Sequence, residues 1–200
     1  NLDRFSLTLD GNLTPNIQTG YTIQTLIRTR GEASDGGFIR KINANGDYLF
    51  PVGTNTDGTE RYTPAVITVS NFADDGYITV IPVLHELPTL DQTSSGDALQ
   101  YYWRVKQTGF TAQPTIACLY TYVENDVLGD ENLYVPGRIE GATRIAETSG
   151  VDAGNNTISF PDHTLTNADY TAAKTERFQG SVRIFYSRVT DGNWYSHAWH

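Results

Sequence analysis

Cysteine appears once in the chain's 200 residues and methionine not at all. With Cys118 alone there is no intrachain disulfide, so a packed core has to hold the fold. No apolar run approaches the roughly 18 residues that a membrane helix requires, and no basic-then-apolar leader is present. No membrane insertion is therefore expected. The lack of an initiating Met reads as an excised piece or a mature product, with any targeting signal lost. Basic residues are scarce as well. The 14 Lys and Arg face 23 Asp and Glu, for a net charge of −9, and none of the basic residues forms a run. Phosphate backbones and anionic membranes both ask for clustered cations, so nucleic acid is excluded as a partner and anionic lipid is disfavoured. The last shortage is of helical periodicity: no window of 12 residues carries a convincing 3.6-residue repeat.

What is abundant points one way. Hydrophobic residues make up 38% and charged residues 18%, enough for a core and too little charge for a disordered chain. Twelve tyrosines, 18 glycines and many threonines suit pleated surfaces and turns. Period-two patterns recur. In "PAVITVS" Ala65, Ile67 and Val69 share a face. In "YYWRVK" Tyr101, Trp103 and Val105 lie on one side, Arg104 and Lys106 on the other. "YITVIPV", "TIACLYTY" and "SVRIFYS" repeat the idea, with Val182, Ile184 and Tyr186 aligned in the last. Turn clusters separate these runs, and Asn45-Gly46 and Asp75-Gly76 read as hairpin turns. The best helical stretch, "NADYTAAKTERF", is short and predicts one or two turns around Ala172 to Lys174. The expected fold is an all-β sandwich. "IPVLHELPTLDQTSSGD" (81–97), with two prolines and a polar run, marks a candidate boundary between a module at 1–92 and another at 93–180. A C-terminal strand and junction then occupy 181–200, and a single larger sandwich is the alternative.

The chemistry-bearing motifs are absent: no G-x-S-x-G, H-E-x-x-H, Walker-type or G-x-G-x-x-G pattern occurs. "HELPT" lacks a second histidine. Carboxylates that could pair for glycoside cleavage, Glu124, Asp126, Glu131 and Glu140, carry no spacing signal. No enzyme is expected. Cys118 sits in the apolar run "PTIACLYTY", which predicts a small core residue. Calcium is the one cofactor with candidate ligands. "ENDVLGDEN" packs Glu124, Asp126, Asp130 and Glu131 into one loop without the EF-hand order, and the plainer reading is a solvated acidic loop. Glycan binding has candidates in Tyr101, Tyr102, Trp194 and Trp199, because flat aromatic faces suit sugar rings. Tyr101 and Tyr102 face opposite ways on a strand, so one of them is expected to point outward. His197 and His200 in "YSHAWH" lack a third ligand for a metal.

Three segments in order carry a resemblance. "NGDYLFPVGT" (45–54) followed by "RYTPAVITVS" (61–70) is similar to the G-x-Y-x-F-P-V-G … Y-x-P signature of large secreted surface proteins of gliding-type Bacteroidota. "LQYYWRV" (99–105) resembles the strand that opens the next immunoglobulin-like module in them. "DYTAAKTERFQGSVRIFYSRVTDGNW" (169–194) resembles the junction into a further module, although Ala173 replaces the preferred glycine and "YSHAWH" departs from the usual ending. The resemblance implies immunoglobulin-like β-sandwich modules of a type IX-secreted, extracellular cell-surface protein of adhesin or stalk character. Its partners would be neighbouring modules, other copies of the chain or surface glycans. It implies no enzymatic activity, and it makes the tail the start of a following module. Within "YLFPVG", Tyr48 and Phe50 share a strand face, Pro51 ends ladder donation and Gly53 is expected to permit a turn.

Overall fold

The structure is a computed structural model that describes residues 5–9, 22, 24–56, 58–91 and 96–179, and the backbone of 184–188 and 194–198. Strands dominate it, and the longest helical element among the described residues is the four-residue 3-10 turn Thr175–Phe178. The all-β expectation holds.

Two sheets form the layers. The larger runs in the order β1 (Leu7–Leu9), β3 (Phe38–Ile42), β8 (Gly76–Val83), β10 (Tyr102–Thr108), β17 (Ala168–Lys174), β13 (Tyr134–Glu140) and β14 (Thr143–Ala146). Two short strands, β9 (Ala98–Leu99) and β12 (Val127–Leu128), extend it beside β17. The second sheet runs β15 (Val151–Asp152), β16 (Thr157–Thr164), β11 (Thr115–Thr121), β7 (Ala65–Ser70) and β4 (Gly46–Phe50). A small third sheet comprises β2 (Ile27–Thr29), β5 (Val52–Thr54) and β6 (Arg61–Tyr62), and a hairpin of β18 (Ile184–Arg188) and β19 (Trp194–Ala198) stands apart from these pairings. With nine strands in one layer and five in the other, the sheets exceed the seven to nine strands in total of an immunoglobulin-like module.

The core between the layers follows from alternation. Tyr101, Trp103 and Val105 from one side meet Ala65, Ile67, Val69, Ile116, Cys118 and Tyr120 from the other, all buried. Aromatic rings run through it. Trp103 lies 5.2 Å from Tyr101 and 4.9 Å from Tyr120, and Tyr120 lies 5.3 Å from Tyr170. Cys118 is a core residue as expected, and burial pushes its thiol up to about 12.

The division at residue 92 is overturned. β8 pairs with β10 over seven positions, and β7 pairs with β11 over six, so strands from both sides of the boundary alternate within each sheet. The proline-containing segment turns back instead of leading away. Its Leu87 and Leu90 pack with Phe178 onto Ile81, Val83, Tyr102, Ile139 and Ala173, on the outer face of the large sheet. Proline does bar a segment from a central ladder. It does not say whether the segment departs or folds back.

Three local expectations change similarly. Asn45-Gly46 and Asp75-Gly76 do not close hairpins: β3 and β4 lie in different sheets, as do β7 and β8, so both turns cross between layers. Gly76 is needed there because a Cβ would fall 2.5 Å from the Phe110 ring. Ala172 to Lys174 are strand, not helix, since pairing with β13 on one side and, at Ala173, with β9 on the other overrides a weak intrinsic preference. Tyr48 and Phe50 do share the inward face, both fully buried. Gly53, by contrast, is a place of close strand approach: a Cβ would meet the Arg61 carbonyl oxygen at 1.9 Å.

Candidate functional site

The sequence candidates are dispersed by the fold. Tyr101 turns inward, where its hydroxyl shares a 2.7 Å hydrogen bond with Thr63 Oγ1 and burial pushes its phenol well up. Trp103 Nε1 donates to the Thr63 carbonyl at 2.8 Å, so both rings are tied to the same residue between β6 and β7. Tyr102 does face outward, yet it is 2% exposed, because the 84–91 segment and the Thr175–Phe178 turn cover it. Neither tyrosine offers a face to a sugar. Trp194 opens β19, and Trp199 lies outside the described residues, as does His200.

The acidic loop does not converge on a cation. Asp126 is buried and accepts from Arg61 Nε at 2.8 and 2.9 Å through its two oxygens. Glu131 accepts from the Tyr122 hydroxyl at 2.6 Å, and Asp130 accepts from the Asn132 backbone N–H at 3.1 Å. Glu124 stays exposed. Among the described residues no three His, Cys, Asp or Glu side chains come together as a metal site. Close spacing in sequence brought the four carboxylates into one loop. Two 3-10 turns, Glu124–Asp126 and Glu131–Leu133, then aim them in different directions.

An open groove of about 300 Å³ lies on the outer face of the large sheet, beside the cover. Ile139 and Ala168 line its apolar part, and Arg104, Lys106, Asn167 and Asp169 its polar part. β10 and β17 set Arg104 opposite Asp169 in register, and the guanidinium forks onto the carboxylate at 2.8 and 2.9 Å. Arg104 Nη1 also donates to the Ala33 carbonyl, and the Tyr102 ring lies 5.8 Å from the guanidinium. The carboxylate holds Arg104 above the usual guanidinium value. Asn167 Oδ1 accepts from the Gln107 backbone. The groove thus sets hydrogen-bonding side chains beside an apolar patch. Sequence reading found Arg104 and Lys106 on the outer side of their strand. The partner Asp169, 65 residues away, had no local signal.

A further polar contact lies at the rim of the core. His163 Nδ1 meets the Pro161 carbonyl at 2.7 Å and Nε2 meets the Tyr170 hydroxyl at 2.9 Å. A carbonyl can only accept, so Nδ1 carries the proton and, in the neutral ring, Nε2 accepts from Tyr170. Burial lowers the imidazole's pKa and so favours this neutral form.

Comparisons of the chain with protein-family models, with curated proteins and with solved structures gave no match in any of the three.

Proposed function

We propose that the chain is a non-catalytic scaffold of an extracellular cell-surface protein, one that spaces or docks neighbouring modules. The observation that carries this reading is the use of the buried charges. Arg61 joins the third sheet to the Asp126 turn, Arg177 joins the 3-10 turn after β17 to Glu86 in the cover, and Arg40 reaches from one layer to the Leu49 carbonyl of the other. The first two link elements 65 and 91 residues apart, and the third ties two consecutive strands of opposite layers. Groups of this kind, removed from water and satisfied by other parts of the chain, fix geometry and are not poised for proton or group transfer. The F-P-V-G signature fits the same role, since its aromatics anchor the core and its glycine seats one strand on the next.

Antibody labelling of intact, unpermeabilised cells that make the protein should give surface signal. Turnover of a polysaccharide or peptide panel at ordinary enzyme rates would refute the reading. Glycan binding remains a second reading, carried now by the Arg104–Asp169 groove. A glycan array should then give hits that Lys106→Ala and Asn167→Ala weaken, and an array without hits removes it.

A further inference from the structure

The first described strand is held differently from the others. Phe5, Leu7 and Leu9 alternate with Ser6 and Thr8, a period-two pattern of the sort that buries one face. Only Leu9 packs against the main core; Leu7 is 44% exposed and Phe5 77%. β1 pairs with β3 in parallel over three positions, Leu7 with Phe38, Thr8 with Ile39 and Leu9 with Arg40. It is an edge strand in a parallel pair, with little apolar surface holding it down.

The slot that receives it is nevertheless shaped to fit. The Leu7 N–H donates to the Gly37 carbonyl at 3.2 Å, and the Ser6 hydroxyl donates to the Gly36 carbonyl at 3.0 Å. A Cβ on Gly36 would stand 2.5 Å from the Phe5 carbonyl carbon and 2.6 Å from the Ser6 nitrogen. The backbone of residues 5 and 6 therefore lies directly on a side-chain-free floor. Gly37, at φ +73°, takes a conformation that other residues resist.

We infer that this strand exchanges between copies of the chain, with residues 5–9 of one molecule occupying the Gly36–Ile42 slot of another. The slot reads mainly backbone and small volume, so an identical strand from a second copy satisfies it as well as the chain's own. The occupant is a second copy because that strand already matches the slot in register. Exchange also brings the body of a second molecule alongside Phe5 and Leu7, whose alternation suits burial that one copy does not provide. Swapping an identical element costs little, since the bonds broken are remade in the partner. Exchange requires no cell-surface location, so its failure and the failure of the scaffold reading are separate results.

The test uses full-length chains with one added cysteine each, Thr8→Cys or Ile39→Cys. Thr8 is exposed, Ile39 is half-buried, and the native Cys118 is buried. The two proteins are incubated together at high concentration and then mildly oxidised. Exchange should yield a mixed disulfide dimer severalfold above that from Thr8→Cys mixed with Thr143→Cys, an exposed position on β14 at the opposite end of the large sheet. The double variant Thr8→Cys/Ile39→Cys should close internally and, in sedimentation, stay monomeric where the parent chain associates. Cross-linking no greater than the Thr143→Cys control overturns the inference, provided melting curves show each variant folded. Displacement of β1 by an unrelated extended peptide as readily as by a peptide of residues 1–11 would overturn the second copy as occupant.

Discussion

The two faces of the large sheet each bury a cluster of apolar side chains, and they are built by different means. The inner face packs strand against strand, with Trp103, Tyr120 and Tyr170 in one aromatic run. The outer face is covered by irregular chain, with Leu87, Leu90 and Phe178 held over Tyr102 and Ile81. That cover is fastened at a few points: Arg177 pairs with Glu86, and the Asp91 N–H donates to the Arg177 carbonyl at 2.8 Å. A regular layer shares its loss across many ladder bonds. A pinned cover can open by itself, because residues 84–91 and 175–178 form no strand laddered to the sheet beneath.

Substitutions on each face should separate the two. Trp103→Ala should cost about 3–5 kcal/mol and lower the chemical-denaturation midpoint of the whole molecule, by loss of ring contacts and of the hydrogen bond to Thr63. Asp126→Ala should cost about 3–5 kcal/mol by stranding the Arg61 guanidinium, whereas replacing both residues by apolar ones of similar volume should be far milder. Either result can be read from equilibrium unfolding. On the outer face Leu87→Ala should cost only about 2 kcal/mol, because a loop can settle into the space left. Hydrogen exchange should then quicken in residues 84–91 and 175–178 while β8 and β10 stay protected. Equal quickening in those strands would erase the distinction between the faces.

A smaller effect is expected at Gly137, where a Cβ would meet the Phe178 ring at 2.1 Å. Gly137→Ala should cost about 1–3 kcal/mol by prising up the cover, visible as exposure of that same segment. The smallest effect is a pH dependence at the edge of the inner face. His163 is held neutral, with its folded pKa below the ordinary value of 6.5. The unfolded chain therefore binds the proton more readily. The contribution is fully present above pH 6.5 and is lost as pH falls through the folded value. His163→Gln should flatten that acid-side decline in a melting-temperature series, and an unchanged slope would assign the decline to other groups.

The inner face was legible and the outer was not, for a physical reason. Side chains on a strand alternate, so Trp103 and Val105, or Ala65 and Ile67, announce a shared face from spacing alone. Leu87, Leu90 and Phe178 follow no period. Their burial depends on where an irregular chain turns, and Pro88 looked equally like the mark of a linker. The site suffered in the same way. Tyr102 does point outward as its register requires, and only the returning cover hides it. Asp126 sits in an acidic loop, but it meets a cation supplied 65 residues earlier.

Alternation and turn chemistry by themselves determined that this chain folds in pleated layers around Tyr, Trp and Ile, since the period of two belongs to the backbone. Which strands became neighbours, whether a turn stayed in one sheet or crossed to the other, and which charges met were decided by tertiary packing. Those outcomes depend on the summed burial of segments far apart in sequence, and no local pattern carries that sum.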